Sequence, residues 1–190
     1  MKTIYILLTR SDTYISRAIN LLTNDRYTHA SISFDESLQP LYSFSRKYVK
    51  SPLPAGLRIE PLHKGFFKRY NQIPCALYAL EVSEEVYAAA RQEVERMMAE
   101  APKYRFNILG LVLCKLGIPY HRKNCFFCSE FVSEVLERSH AIPLPKDTSL
   151  MRPNDYTKIP SLSCKFEGRL NGLLKRRAHH DMTWEAVSTN

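Results

Sequence analysis

Cys128 and His29 are the two side chains whose types and settings could together do chemistry. Cys128 opens the stretch Cys128-Ser129-Glu130-Phe131-Val132-Ser133-Glu134-Val135-Leu136, a strong helix pattern. A thiol at a helix start meets backbone N–H groups and the positive end of the helix dipole, which favour its thiolate. The thiolate is the form that attacks a carbonyl carbon. His29 stands far upstream in Tyr27-Thr28-His29-Ala30-Ser31-Ile32-Ser33-Phe34, at the start of a strand-like run. A Cys and a His that are distant in sequence but can meet in a fold are the minimum for a cysteine hydrolase or acyltransferase. The competing reading of Cys128 is a buried structural thiol, because free Cys is among the most buried residue types.

Period-2 alternation sorts the His29 run into two faces. Ser31, Ser33 and Asp35 share the His29 face, and Ala30, Ile32 and Phe34 take the other. The polar face either lines a cleft or meets solvent. Cys125-Phe126-Phe127-Cys128 is a C-x-x-C, with Cys114 and His121 nearby. No second pair has the spacing of a zinc knuckle, and the Phe-Phe insert does not suit a redox pair, so no metal site and no cofactor is expected. The run Lys175-Arg176-Arg177-Ala178-His179-His180 reads as a solvated tail rather than a phosphate-binding patch. Aromatic and basic residues interleave over 46–70, but no nucleic-acid-binding motif accompanies them.

The elements that must hold the pair follow from periodicity. Residues 3–8 read as a buried strand, and Ser11 or Asp12 caps a short helix carrying Ile15, Ala18, Ile19 and Leu22. Residues 29–35 and 40–45 read as two strands joined by Asp35-Glu36-Ser37. Residues 46–73, rich in Pro and Gly, read as a long ordered loop with one short strand near Leu57–Ile59. A strand over 75–82 leads to a helix over 84–101, capped by Ser83 and buried along Val86, Ala90, Val94, Met97 and Ala101. A more apolar helix pattern fills Lys103 to Gly117, and the Cys128 helix runs to about Ser139. An extended segment follows Pro143 and Pro145, then a strand near 162–169 and a fraying tail over 173–190. This plan is α+β, one domain over 1–190.

Composition sets the bounds. The chain of 190 residues is 45% hydrophobic and 24% charged, which calls for a packed core and excludes global disorder. A net charge of +8 suits anionic partners without choosing among them. Five cysteines, an odd number, and an N-terminal stretch that reads as a strand rather than an export signal point to a reducing cytoplasm with free thiols. No apolar run reaches the roughly 18 residues of a membrane span.

Tyr27-Thr28-His29-Ala30-Ser31-Ile32 taken with Phe126-Phe127-Cys128-Ser129-Glu130-Phe131-Val132 resembles the NlpC-type papain-like hydrolases. The order, His strand before Cys helix, is similar to their circularly permuted branch, which includes the lecithin:retinol acyltransferase-like enzymes. Pro102-Lys103-Tyr104 resembles the Pro-Tyr before the nucleophile helix, and Arg152-Pro153-Asn154-Asp155 resembles the Pro-x-Asp segment after it. The resemblance covers roughly residues 3–156. It implies a permuted papain-like fold, an antiparallel sheet packed against helices that include the nucleophile helix. It also implies catalysis by Cys128 and His29, a third polar residue on the next strand (Ser43, with Tyr42 as the alternative), and Tyr104 and Ser129 at the oxyanion or substrate. The acidic residue expected after the Tyr is Arg105 here. The implied reaction is hydrolysis or acyl transfer on an amide or ester of a small-molecule, peptide or lipid substrate. Nucleic acid is disfavoured as a partner. A catalytically silent basic module for nucleic acid or anionic membrane is the alternative.

Overall fold

The computed structural model describes residues 1–10, 25–46 and 55–177. The helix expected after Ser11 and the last part of the tail, 178–190, lie outside the described residues. Six strands form one antiparallel sheet in the order β4-β3-β2-β1-β5-β8. They are β1 (Lys2–Thr9), β2 (His29–Ser33), β3 (Tyr42–Arg46), β4 (Ala55–Ile59), β5 (Pro74–Val82) and β8 (Ser163–Arg169). The central strand β1 pairs with β2 through Thr9↔His29 and Leu7↔Ser31, and with β5 from Lys2↔Val82 to Thr9↔Cys75.

Alternation along these strands makes two cores. Ile4, Ile6 and Leu8 join Ala30, Ile32, Phe44, Ala76 and Leu80 in one cluster, while Leu7 joins Leu41, Cys75 and Leu77 in a second. Helices α2 (Glu84–Ala99) and α4 (Cys128–Arg138) close the first cluster with Ala90, Val94, Met97, Phe131, Val132, Val135 and Leu136. Each such large apolar side chain contributes about 1.5–3 kcal/mol by leaving water. Ser83 caps α2 by accepting from the Val86 N–H, as its sequence position requires, and Glu84 and Glu85 occupy the first turn.

The second cluster is closed by parts the sequence left irregular. The expected loop over 46–73 holds β4, which starts two residues before the anticipated strand, and a short helix α1 (Gly65–Arg69) whose Phe67 is buried there. Residues 170–177 are helical, and Leu170 and Leu173 pack into the same cluster, so the chain stays ordered past 173.

The apolar helix expected from Lys103 to Gly117 is shorter. Lys103 belongs to a 3-10 turn (Ala101–Lys103), and α3 spans Ile108–Lys115. Between them lies β6 (Arg105–Phe106), which pairs in parallel with β7 (Cys125–Phe126). Residues 107–124 are therefore an excursion whose two ends are joined side by side, and α4 begins directly after it. Beyond α4 the expected extended segment carries two 3-10 stretches, Thr148–Leu150 and Pro153–Lys158.

Candidate active site

His29 is the first residue of β2, and its Nε2 faces three oxygen atoms. Glu60 Oε2 lies at 2.8 Å, Ser43 Oγ at 3.2 Å and Ser31 Oγ at 3.3 Å. Glu60 follows β4 directly, and its N–H donates to the Leu41 carbonyl at 2.7 Å, which holds it against the start of β3. The hydroxyl protons of both serines are spent elsewhere: Ser43 donates to the Ala30 carbonyl at 3.0 Å and Ser31 to Glu60 Oε2 at 2.7 Å. Towards the ring both can only accept, and an ionised carboxylate only accepts. Nε2 therefore carries a proton towards Glu60, and Cys128 is the other hydrogen-bonding neighbour of the ring.

The electrostatics agree with that arrangement. Burial by itself pulls the His29 pKa down, but the Glu60 carboxylate and hydrogen bonding to Cys128 and Glu60 outweigh it and push it up. Burial by itself would raise the Glu60 pKa; the His29 charge and hydrogen bonds from His29, Ser31 and Ser45 carry it below the ordinary value. The His29 and Glu60 side chains are only 14% and 12% exposed, so their ion pair is shielded from salt. Ser31, Ser33 and Ser43 are fully buried. The polar face of β2 therefore lines the interior of the site rather than meeting solvent.

Cys128 is the first residue of α4 and is buried. Two polar groups fix that helix start. Glu130 reaches back so that its Oε2 accepts from the Phe127 N–H at 3.1 Å and from Asn107 Nδ2 at 3.4 Å. Burial pushes the Glu130 carboxyl up to about 7, against those two hydrogen bonds. Asn107 in turn caps α3, its Oδ1 accepting from the Gly110 N–H at 2.9 Å. Tyr156, fully buried, donates to the Ser129 carbonyl at 2.9 Å and shares a 2.7 Å hydrogen bond with Ser133. Burial is the main cause of its raised pKa, and the nearby Cys128 adds to it in smaller part.

Of the sequence candidates, the structure brings Cys128, His29 and Ser43 together. Tyr42 goes elsewhere, its ring 6.4 Å from Phe34. Tyr104 packs between Phe44 and Phe126, with ring centroids 6.5 and 6.1 Å away, and its hydroxyl accepts from Arg96 of α2. Ser129 adjoins Cys128, and its buried Oγ has no hydrogen-bond partner among the described residues, nor has Glu130 Oε1. Sequence reasoning missed Glu60 and Tyr156, and placed Ser31 on the His29 face without giving it a role. Cys125 is buried in β7. Among the described residues no three His, Cys, Asp or Glu side chains group in a way that could hold a metal ion, and no helix is long and apolar enough to cross a membrane. No family model and no curated protein sequence matches this chain.

Proposed function

We propose that this protein is a cysteine-dependent hydrolase or acyltransferase of the permuted NlpC-type papain-like class. Its nucleophile is Cys128, its acid–base group His29, and its orienting carboxylate Glu60. The observation that carries the reading is the imidazole held between a buried carboxylate on Nε2 and the thiol at a helix N-terminus.

The reaction begins as a thiolate–imidazolium pair. The Cys128 sulfur attacks the carbonyl carbon of an amide or ester, and the carbonyl oxygen becomes an oxyanion stabilised by backbone N–H groups at the start of α4. As the C–N or C–O bond breaks, His29 Nδ1–H protonates the leaving amine or alcohol, leaving an acyl thioester on Cys128. His29, now neutral, deprotonates water or a second acyl acceptor, which attacks the thioester and releases the thiolate. Glu60 keeps Nε2–H in place throughout and stabilises each imidazolium form, the role of the third member in triads generally. The substrates are small-molecule, peptide or lipid acyl groups.

Incubation with a panel of activated esters and acyl amides tests the proposal. Mass spectrometry is expected to find an acyl adduct on the peptide containing Cys128, and turnover is expected to vanish in Cys128→Ala. Equal turnover in the wild type and Cys128→Ala would refute the assignment.

A further inference from the structure

The excursion over 107–124 wears its apolar side outwards. Eight large hydrophobic side chains are exposed among the described residues, and five of them crowd into 108–118: Ile108 at 47%, Leu109 at 50%, Val112 at 51%, Leu116 at 68% and Ile118 at 49%. Helical geometry explains the pattern. The residues of α3 that turn fully inwards are Gly110 and Cys114, the smallest in the helix, so the helix lies close to the body; Leu111 and Leu113 are half-buried, and Ile108, Leu109 and Val112 face solvent. Isolated exposed apolar residues are ordinary, but a contiguous patch on a small domain marks a docking surface.

The charge around the patch says what docks. From Ala101 to Ser129 the chain carries Lys103, Arg105, Lys115, Arg122 and Lys123 and no Asp or Glu. Lys103 is matched by Glu100. Arg105, Lys115, Arg122 and Lys123 form no ion pair among the described residues. The exposed side chains of the helix are aliphatic, without the Trp, Tyr and Arg anchors that dominate protein–protein hot spots. Besides Glu100, the one carboxylate ion-paired into the segment among the described residues is Asp147, on His121; exposed aliphatic residues with cations close by in the chain are the pattern of a segment that lies in the interface of an anionic bilayer.

We propose that α3 and the residues after it, through Lys123, form a docking surface for anionic membranes. Ile108, Leu109, Val112, Leu116 and Ile118 enter the headgroup–acyl boundary, while Arg105, Lys115, Arg122 and Lys123 meet the lipid phosphates. Because β6 and β7 clamp the two ends of the excursion, and Cys128 follows β7 with only Phe127 between, docking sets the opening of α4 beside the membrane surface. The docking does not depend on acyl transfer by Cys128.

Flotation of the full chain with vesicles tests it, using phosphatidylcholine alone and phosphatidylcholine mixed with phosphatidylglycerol. Running it also on Cys128→Ala separates docking from chemistry. The expected result is flotation with the anionic vesicles only, equal for wild type and Cys128→Ala and weakened by salt. Val112→Glu or Leu109→Glu is expected to lower the affinity at least about tenfold. Arg122→Glu and Lys123→Glu, which leave the apolar side chains untouched, are expected to lower it by about fivefold or more per charge. Circular dichroism checks that each variant is folded. Absence of flotation with anionic vesicles, or flotation unchanged in all four variants, would overturn the proposal. So would a chain dimer by light scattering that Val112→Glu dissolves while vesicle binding persists, which would give the patch to a second copy.

Discussion

Glu60 Oε2 lies 2.8 Å from His29 Nε2, although β3 runs between the strands that carry them, and Ser43 of that strand contacts the same nitrogen at 3.2 Å. The carboxylate thus reaches across an intervening strand to hold the ring, and the serine beneath it adds a lone pair but no charge. The two contacts differ in kind, and the difference can be measured.

Glu60→Gln keeps the shape of the side chain and removes its charge. We expect it to lower kcat/KM by roughly 10²–10⁴ in any acyl-transfer assay, the range that positioned acid–base catalysis supplies. Ser43→Ala is expected to cost only a few-fold. Equal losses in the two variants would contradict the assignment of Glu60 as the orienting group. Glu60→Ala is expected to destabilise the fold as well, by about 1–3 kcal/mol, because it leaves the buried His29 ring and Ser31 hydroxyl without their partner.

The pair also gives stability a pH dependence of known sign. His29 has its pKa raised from 6.5 to about 10, against burial and chiefly by Glu60. A group with a raised folded pKa stabilises fully below its unfolded value, and that contribution fades as pH climbs from 6.5 towards 10. Glu60, lowered from 4.5, contributes above that value and loses its contribution as pH falls through its folded pKa. Denaturant midpoints are therefore expected to be highest between pH 4.5 and 6.5 and to decline on the alkaline side. In Glu60→Gln, burial draws the ring's pKa down and the alkaline decline flattens. Superimposable profiles for the two proteins would sink this account.

Thiol labelling distinguishes Cys128 from its neighbours. Burial pushes the Cys75 thiol up to about 12 and the Cys114 thiol up to about 11, so both are expected to resist iodoacetamide at neutral pH. The proposed pairing with His29 predicts that the carboxymethyl group appears on the Cys128 peptide ahead of the exposed Cys164. That early labelling is expected to disappear in His29→Ala, because the imidazolium that pairs with the thiolate is gone. Labelling at Cys128 that is indifferent to His29 would separate the thiol from the ring.

Gly110 should reverse the usual helix rule. In a helix interior, Gly→Ala commonly stabilises by about 1 kcal/mol. Here an added Cβ would fall 2.1 Å from Asn107 Nδ2, in the side chain that caps α3 and also reaches Glu130. Gly110→Ala is expected to destabilise by about 1–3 kcal/mol in chemical denaturation. A gain in stability would mean that Asn107 does not tie the two helix starts together.

Tyr156 is expected to lose about 1–3 kcal/mol on conversion to Phe, since its hydroxyl serves both the Ser129 carbonyl and Ser133 inside the core. Ser133→Ala should remove part of the same interaction. A double-mutant cycle in urea is expected to show the two losses to be less than additive; strict additivity would show that the groups act independently.

The pairing of Cys128 with His29 was legible in the sequence because each sits at the start of a strongly patterned element, and the antiparallel strands and the Ser83-capped helix followed from the same periodicities. Glu60 was not. It stands one residue past a short strand in a stretch dense with Pro and Gly, where a lone carboxylate looks like any surface Glu. Only the Tyr42↔Ile59 register and the bond from its N–H to Leu41 place it beside the site. Tyr156 was hidden for a similar reason, since its partners on α4 are reached through tertiary packing. The apolar pattern of α3 was visible, but periodicity reports that a face is apolar and not what covers it. The inward placement of Gly110 and Cys114 decided that, and left Ile108, Leu109 and Val112 outside.

The antiparallel run β1-β2-β3-β4 has a consequence for how the molecule is born. His29, Ser31, Ser43 and Glu60 all come from the first third of the chain, on strands that are neighbours both in sequence and in the sheet. Contacts of such short separation cost the least loop-closure entropy and form early. The thiol belongs to a helix made much later in synthesis, whose docking on β2 and β3 must close a far longer loop. The growing chain thus carries the His29–Glu60 pair before Cys128 is made, and the thiol joins that pair only when α4 closes over the sheet.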